Sequence, residues 1–143
     1  MIMSTPMESP ALPHVTVESI MTSTVFSVHV SMTIREAILV LVTNKISGAP
    51  VIDSSGTVVS VVSEGSLLKL ATKKGTAETI GLCLPDLPTG DQLITAKRSD
   101  SIQALYKVFL AKSVHRIIVV DDTRKLLGIV SRSNVLKMLV QAK

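Results

Sequence analysis

Apolar residues recur with helical spacing in two separate parts of the chain. One set is Ile34, Ala37, Ile38, Leu41 and Val42, and the other is Ile102, Leu105, Tyr106, Phe109 and Leu110. Steps of three and four residues place each set on one face of a helix. Thr33 with Glu36 predicts a capping box at the start of the first helix, and Ser101 is the cap expected for the second.

A strand, a tight turn, a second strand and a further helix are predicted after each of these helices. The apolar runs "APVID" and "IIVVD" precede the turns "DSSG" and "DDTR", and the runs "VVSVV" and "LLGIV" follow them. Apolar runs bounded by turn residues are typical of buried strands. The last helix of each set is expected to begin after Ser63 or Ser131. With a short extended segment before each first helix (25–28 and 93–97), the order is β-α-β-β-α, twice.

The second set is a copy of the first. A shift of 68 positions lays residues 26–70 over 94–138 without a gap. The identical positions include Ser31, Ile34, Val40, Val51, Asp53, Val62, Ser63, Leu68 and Lys69. One copy of about 50 residues buries too little surface to be stable alone. We therefore expect an α/β (α+β) fold in which the sheets of the two repeats stack about a pseudo-twofold axis, with a ligand cleft where they meet.

The pattern divides the chain into four segments. Residues 1–14 are expected to form a mobile tail, 15–75 the first domain, 76–92 a linker and 93–143 the second domain. The linker is rich in Gly, Pro and Lys, with one helical turn expected near 78–84. The tail is rich in Pro, Ser and Met, and residues up to Leu12 are expected to be dispensable for folding.

Composition excludes several classes of protein. Apolar residues make up 46% of the 143, which suits a folded interior, and no apolar run approaches the roughly 18 residues of a membrane span. The N-terminus has neither the basic nor the apolar region of a secretory signal. Cys83 is the single cysteine, which favours a reducing cytoplasm. The net charge of +4 suits an anionic ligand but is too small and too dispersed to indicate nucleic-acid binding.

The duplicated unit resembles the cystathionine-β-synthase (CBS) domain. The segments "VHRIIVVDD", "GIVSRSNVLK" and "ISGAPVIDSSG" carry the resemblance, and the two copies resemble a tandem CBS pair, or Bateman module, over residues 17–140. The resemblance implies a stand-alone regulatory module that binds an adenosine-containing nucleotide such as AMP, ADP or ATP between its repeats and acts on an unidentified partner. The nucleotide is then a regulatory ligand, and no cofactor is required.

The family signature, small-h-h-(Ser/Thr)-x-x-Asp, occurs twice in altered form. Residues 128–134 and 60–66 both keep the serine, but Asn134 and Ser66 stand where the family has an aspartate that holds ribose hydroxyls. The resemblance implies a first site of Phe26, Ile46, Ser47, Ser131, Arg132, Ser133 and Asn134. It also implies a second, weaker site of Ile94, Val114, His115, Arg116, Ser63 and Ser66. The second site has Glu64 where the first has Arg132, and a carboxylate there would repel a phosphate.

Each of these features also has a purely structural interpretation. Ser131 and Ser63 stand where helix N-caps are expected, although the amides of a helix start also bind anions. His115 and Arg116 either begin a strand, with Arg116 paired to an acid, or lie beside phosphates. If the missing aspartates mean lost nucleotide binding, the chain is instead a dimeric partner-binding or structural module.

Catalysis and metal binding have no support in the sequence. There is no nucleophile beside a base and no metal-ligand spacing, and "KKGT" lacks the glycines of a P-loop. The chain is thus predicted not to be an enzyme. Because the resemblance implies a half-disc with unpartnered helix faces, we expect a homodimer, with Leu39, Val40, Tyr106 and Phe109 as candidate contacts.

Overall fold

Two β-α-β-β-α repeats form the structure, a computed structural model that describes residues 15–112 and 114–141. The first repeat contains β1 (Val28–His29), α2 (Ile34–Asn44), β2 (Gly48–Ile52), β3 (Val58–Ser63) and α3 (Glu64–Lys74). The second contains β4 (Thr95–Ala96), α4 (Ile102–Lys112), β5 (Arg116–Val120), β6 (Leu126–Ser131) and α5 (Arg132–Gln141). Helix α1 (Val17–Ile20) precedes them, and two 3-10 helices, Ile80–Asp86 and Gly90–Gln92, lie between them. The predicted element order is confirmed, whereas the predicted tail, 1–14, lies outside the described residues.

Each repeat forms a three-stranded sheet with the same topology. The strand orders are β1-β2-β3 and β4-β5-β6, and the first two strands of each sheet run parallel. Strands β1 and β4 contain two residues each, fewer than the extended segments predicted at 25–28 and 93–97. They are short because only Val28 and His29, or Thr95 and Ala96, pair with the neighbouring strand. The stacking of the two sheets stays a prediction.

Helices α2 and α4 begin at the predicted caps. Glu36 N donates to Thr33 Oγ1 at 3.1 Å while Thr33 N donates to Glu36 Oε1 at 2.9 Å, which is the predicted capping box. Ala104 N donates to Ser101 Oγ at 3.2 Å. Phe109 is only 6% exposed and lies in the core of the second repeat, so its assignment to a dimer contact was wrong. Ile102, Leu105 and Phe109 of the predicted stripe are buried, whereas Tyr106 and Leu110 are 41% and 65% exposed. Burying the aromatic ring of Phe109 stabilises the repeat itself.

Two compact units divide the structure, and their boundaries do not follow those of the repeats. Unit 1 holds the described parts of 1–23, 95–119 and 127–143. Unit 2 holds 24–94 and 120–126. The segment before the first repeat thus belongs with the second repeat, while the predicted linker belongs with the first.

Segment 15–23 is an integral part of unit 1. Val17 is fully buried in the core there, and its N–H donates to Asp100 O at 2.8 Å. Thr22 and Ile129 exchange two backbone hydrogen bonds of 2.9 Å, so the segment pairs with β6. The approach is close at Gly128, where a Cβ would lie 2.7 Å from Thr22 O. Glycine is therefore required at this position for the segment to pack.

The segment predicted as a linker is equally well packed in unit 2. Ile80 and Cys83 are fully buried in its core, and Ile80 N donates to Met32 O at 2.8 Å. The helical turn expected near 78–84 is the 3-10 helix Ile80–Asp86. At position 60, the counterpart of Gly128, the buried Ser60 hydroxyl donates to Pro88 O at 2.7 Å. Each repeat thus holds, on the equivalent strand, the segment that precedes the other repeat, and the contact is made at a glycine in one repeat and at a serine in the other.

The turn between β5 and β6 is part of unit 2. Val58 N donates to Arg124 O at 2.9 Å, and Leu126 N donates to Gly56 O at 3.1 Å. Arg124, with φ of 67°, and Gly56, with φ of 82°, occupy equivalent positions in the two hairpin turns. These hydrogen bonds extend the pairing of unit 2 beyond its three-stranded sheet.

Candidate functional site

The start of α5, residues 131–134, forms a reciprocal cap. Asn134 Oδ1 accepts from Ser131 N at 2.7 Å and from Ser131 Oγ at 2.9 Å. In return, Asn134 N donates to Ser131 Oγ at 3.2 Å. Among the described residues, Asn134 Nδ2 has no hydrogen-bond partner. The capping interpretation of Ser131 is therefore confirmed, and the polar group that Asn134 still offers to a ligand is chiefly a donor.

Arg132 is the first residue of α5 and is fixed to the segment that precedes β5. Its Nε donates to Val114 O at 2.9 Å, and its backbone N donates to His115 O at 3.2 Å. His115 and Arg132 are exposed, and Arg116 is half-buried. Three basic side chains thus occur next to a helix N-terminus, whose amides and dipole favour an anion.

The start of α3 is organised in the same way but carries the opposite charge. Ser66 Oγ accepts from Ser63 N at 2.8 Å and donates to Ser63 O at 3.1 Å, so the cap occupies this hydroxyl. Glu64 is the counterpart of Arg132 in the first repeat, and the backbone N–H of Glu64 donates to Ser47 O at 3.0 Å. The carboxylate of Glu64 is exposed beside the helix N-terminus. An anion is disfavoured at this position by the side chain that begins the helix.

The structure brings predicted site residues together within each repeat. Val114 and His115 contact Arg132 in unit 1, and Ser47 contacts Glu64, next to Ser63, in unit 2. Of the remaining predicted residues, Phe26 is 50% and Ile94 37% exposed, Ile46 packs against the core of unit 2, and Ser133 is exposed. Both predicted sites draw residues from both units, and their assembly stays a prediction.

The hydrogen bonds that join each pre-strand segment to its own helix start were not predicted from the sequence. These hydrogen bonds end on the backbone carbonyls of Ser47, Val114 and His115. Every residue type has such a carbonyl, so no sequence pattern could indicate the contact. What the sequence does show is the charge of the residue that begins each helix, positive at Arg132 and negative at Glu64.

The single cysteine has the environment of a structural residue. Cys83 is fully buried, its Sγ donates to Thr79 O at 3.3 Å, and burial raises the pKa of its thiol. A raised pKa disfavours the reactive thiolate. In the described part of the chain, no three His, Cys, Asp or Glu side chains cluster as metal ligands would. No helix of that part is long and apolar enough to cross a bilayer.

Curated proteins and solved structures resemble this chain over most of its length. CBSX1, a chloroplastic CBS domain-containing protein of Arabidopsis thaliana, is 30% identical over 136 residues, which cover 78% of this chain and 57% of that protein. The 5'-AMP-activated protein kinase subunit gamma of Dictyostelium discoideum is 30% identical over 128 residues, covering 82% of this chain and 22% of that protein. The chain therefore spans less than two thirds of the length of either relative.

A solved structure and a family model agree on the fold. The structure of Arabidopsis thaliana CBSX2 in complex with AMP matches with a TM-score of 0.75 and 28% identity, covering 88% of this chain and 96% of that one. The family model of the CBS domain matches residues 17–73 and 86–141. With its two β-α-β-β-α repeats, the chain belongs to the CBS-domain family and contains two CBS domains.

Proposed function

We propose that this chain is a regulatory module that binds an adenosine-containing nucleotide, AMP, ADP or ATP, with the phosphate at the start of α5. The observation that carries the proposal is the double anchoring of Arg132 to Val114 O and His115 O. In support, the structure of CBSX2, 28% identical to this chain, was determined in complex with AMP. A cytoplasmic location is part of the proposal and rests on the single cysteine, Cys83.

The anchoring of Arg132 matters because it fixes a long side chain before any ligand arrives. Its Nε is held by Val114 O at 2.9 Å, which leaves the two terminal nitrogens of the exposed guanidinium for an anion. A guanidinium pairs with phosphate through two parallel hydrogen bonds. The Ser133 hydroxyl completes the proposed phosphate contacts of this site. The proposed base contacts are the apolar side chains of Phe26 and Ile46.

The first repeat supplies a weaker second position in this proposal. Glu64 replaces Arg132, and the Ser66 hydroxyl is engaged in its own cap. A phosphate there would face a carboxylate in place of a guanidinium. The residues proposed for this position are Ile94, Val114, His115, Arg116, Ser63 and Ser66. We therefore assign one high-affinity nucleotide to the chain.

Replacing Arg132 should weaken the binding of phosphorylated ligands selectively. We expect Arg132→Gln to lower the affinity for AMP about tenfold, the usual effect of losing a charged hydrogen bond, and to leave the affinity for adenosine unchanged. Isothermal titration of both ligands measures the difference. Glu64→Gln is the matched control in the first repeat, and it should not weaken AMP binding. Equal losses for AMP and adenosine, or no loss for either, would contradict the role of Arg132.

A second function is supported by the internally satisfied caps. The Ser63 and Ser66 side chains bond within their own helix start, as does Asn134 Oδ1, and neither repeat has the family's aspartate. A partner-binding or structural CBS module without nucleotide binding would have the same caps. Melting curves with AMP, ADP, ATP, S-adenosylmethionine, NAD and cyclic dinucleotides separate the two functions. A ligand at 100 times its dissociation constant adds about 2.7 kcal/mol of stability, so a complete absence of shifts favours the second function.

We also propose that the chain forms a homodimer through exposed apolar side chains of α2 and α4. Leu39 and Val42 on α2, and Tyr106 and Leu110 on α4, are between 41% and 67% exposed. Each pair lies on one face of its own helix, exposed apolar faces commonly mark interfaces, and closed two-fold symmetry is the usual arrangement. Light scattering at micromolar concentration should give the mass of a dimer, and Val42→Asp/Leu110→Asp should give a monomer. A monomeric wild-type protein would contradict the proposal.

A further inference from the structure

A groove along α3 contains positive charge that the nucleotide site does not use. It has a volume of about 460 Å³ and is lined by Gly65, Ser66, Lys69, Leu70, Lys73 and Asp86. All six residues belong to unit 2, whereas the basic cluster at the start of α5 belongs to unit 1. The volume lies in the range of small-molecule sites in proteins. The groove is therefore large enough for a small anionic ligand.

The carboxylate in the groove is already neutralised by a lysine outside it. Lys74 Nζ lies 3.2 Å from Asp86 Oδ2, whereas Lys73 Nζ lies 3.8 Å from the same oxygen. The hydrogen bond from Lys74 is the main reason that the pKa of Asp86 is lowered, so this carboxylate stays ionised. Lys69 is exposed and has no ion-pair partner among the described residues. Lys69 and Lys73 therefore leave the groove with a net positive charge.

The two lysines are spaced along the helix axis. Lys69 and Lys73 are one turn apart on α3, which separates their Cα atoms by about 6 Å along the axis. Like charges at this spacing destabilise a helix, and an anion that contacts both removes the repulsion. Leu70, which is 3% exposed, forms an apolar floor beside them. Gly65 leaves one end open, since an added Cβ there would meet only Ser63 Oγ, at 3.9 Å.

The charge pair occurs in the first repeat only. Lys69 corresponds to Lys137 in α5, but the counterpart of Lys73 is Gln141. Asp86, the wall of the groove, comes from the 3-10 helix that follows the first repeat. The duplication therefore does not account for Lys73. Helix α5, which has only the first of the two lysines, serves as the comparison for α3.

We propose that this groove binds a diphosphate group, with one phosphate against Lys69 and the other against Lys73. Two adjacent phosphates match two ammonium groups on one helix face, and Lys contacts phosphate as a point charge without a fixed geometry. The diphosphate can be free pyrophosphate or part of a nucleoside diphosphate. The groove shares no residue with the proposed phosphate contact of Arg132, and its Ser66 is also among the residues proposed for the weaker second nucleotide position.

Titration with inorganic pyrophosphate tests the proposal on the full chain. The wild-type protein should bind it, and Lys69→Gln/Lys73→Gln should lower the affinity at least tenfold. Lys107→Gln/Lys137→Gln removes the same charge from exposed positions of the second repeat and should lower it less than twofold. In the background of Arg132→Gln, which removes the proposed phosphate contact of the nucleotide, Lys69→Gln/Lys73→Gln should still cause the tenfold loss. All four lysines are exposed, and melting curves verify that the variants fold.

The arms of the experiment distinguish the two sources of diphosphate. If ADP binding falls in Lys69→Gln/Lys73→Gln while AMP binding does not, the groove takes a nucleoside diphosphate. If only pyrophosphate responds, it takes the free anion. No binding of pyrophosphate to the wild-type protein overturns the proposal. An equal loss in the two double variants also overturns it, as does a loss in Lys69→Gln/Lys73→Gln that disappears in the Arg132→Gln background, since either result places the anion elsewhere.

Discussion

A chain that begins at Thr24 should melt more than about 10 °C below one that begins at Pro13. The shorter chain loses Val17, whose complete burial in unit 1 contributes about 1.5–3 kcal/mol. It also loses the backbone bonds of segment 15–23 to Asp100 and Ile129, at roughly 0.5–1.5 kcal/mol each. With three such bonds the sum is about 3–7.5 kcal/mol, a large part of the stability of a small domain. Circular dichroism melts and urea titrations measure the loss.

The chain beginning at Pro13 is the control, because it keeps every described contact of the segment. Gly128→Ala tests the same packing without a deletion. Its Cβ would lie 2.7 Å from Thr22 O, so the segment must shift, at a cost of about 1–3 kcal/mol. The matched substitution is Gly65→Ala, where nothing lies closer than Ser63 Oγ at 3.9 Å, and it should not destabilise. Equal melting of the Pro13 and Thr24 chains would show that the segment is not needed in unit 1.

Substitutions of Asn134 should change AMP affinity in opposite directions. Asn134→Ala should weaken binding ten- to a hundredfold, which corresponds to about 1–3 kcal/mol for a lost buried partner. Asn134→Asp should tighten it several-fold. The cap occupies one oxygen at this position, and an aspartate keeps that cap while its second oxygen accepts from a ribose hydroxyl. Isothermal titration of the two variants with AMP gives both values.

The cap makes a control necessary, since Asn134→Ala also removes the partner of Ser131 N and Oγ. We expect that loss to cost about 1 kcal/mol of stability. Ser101→Ala removes the cap of α4 and should also lower stability while leaving AMP affinity unchanged. If Asn134→Asp weakens binding, residue 134 lies near a phosphate or a base edge and not near the ribose. If neither variant alters affinity, residues 131–134 are only a helix start.

The sequence alone determined the repeated architecture of the chain. The apolar stripes of α2 and α4, the capping box of Thr33 and Glu36, and the hairpin turns all depend on residues a few positions apart. Such local patterns are visible in the sequence because helices and turns are formed by near neighbours. Because the two repeats align with a shift of 68 residues, each local pattern occurs twice, and the duplicated unit resembles the CBS domain, which the family model confirms. The resemblance to that family then implied Ser131, Arg132 and Asn134 as candidate ligand residues.

Only the tertiary structure decided which segments pack together and what the candidate residues contact. Segment 15–23 joins the second repeat, and the predicted linker enters the core of the first through Ile80 and Cys83. Arg132 is held by the carbonyls of Val114 and His115, and Gly128 is needed only because Thr22 O passes close to it. These contacts join residues far apart in the chain, and most are made by backbone groups that every residue shares. No residue pattern encodes such contacts, so they become visible only once the chain is folded.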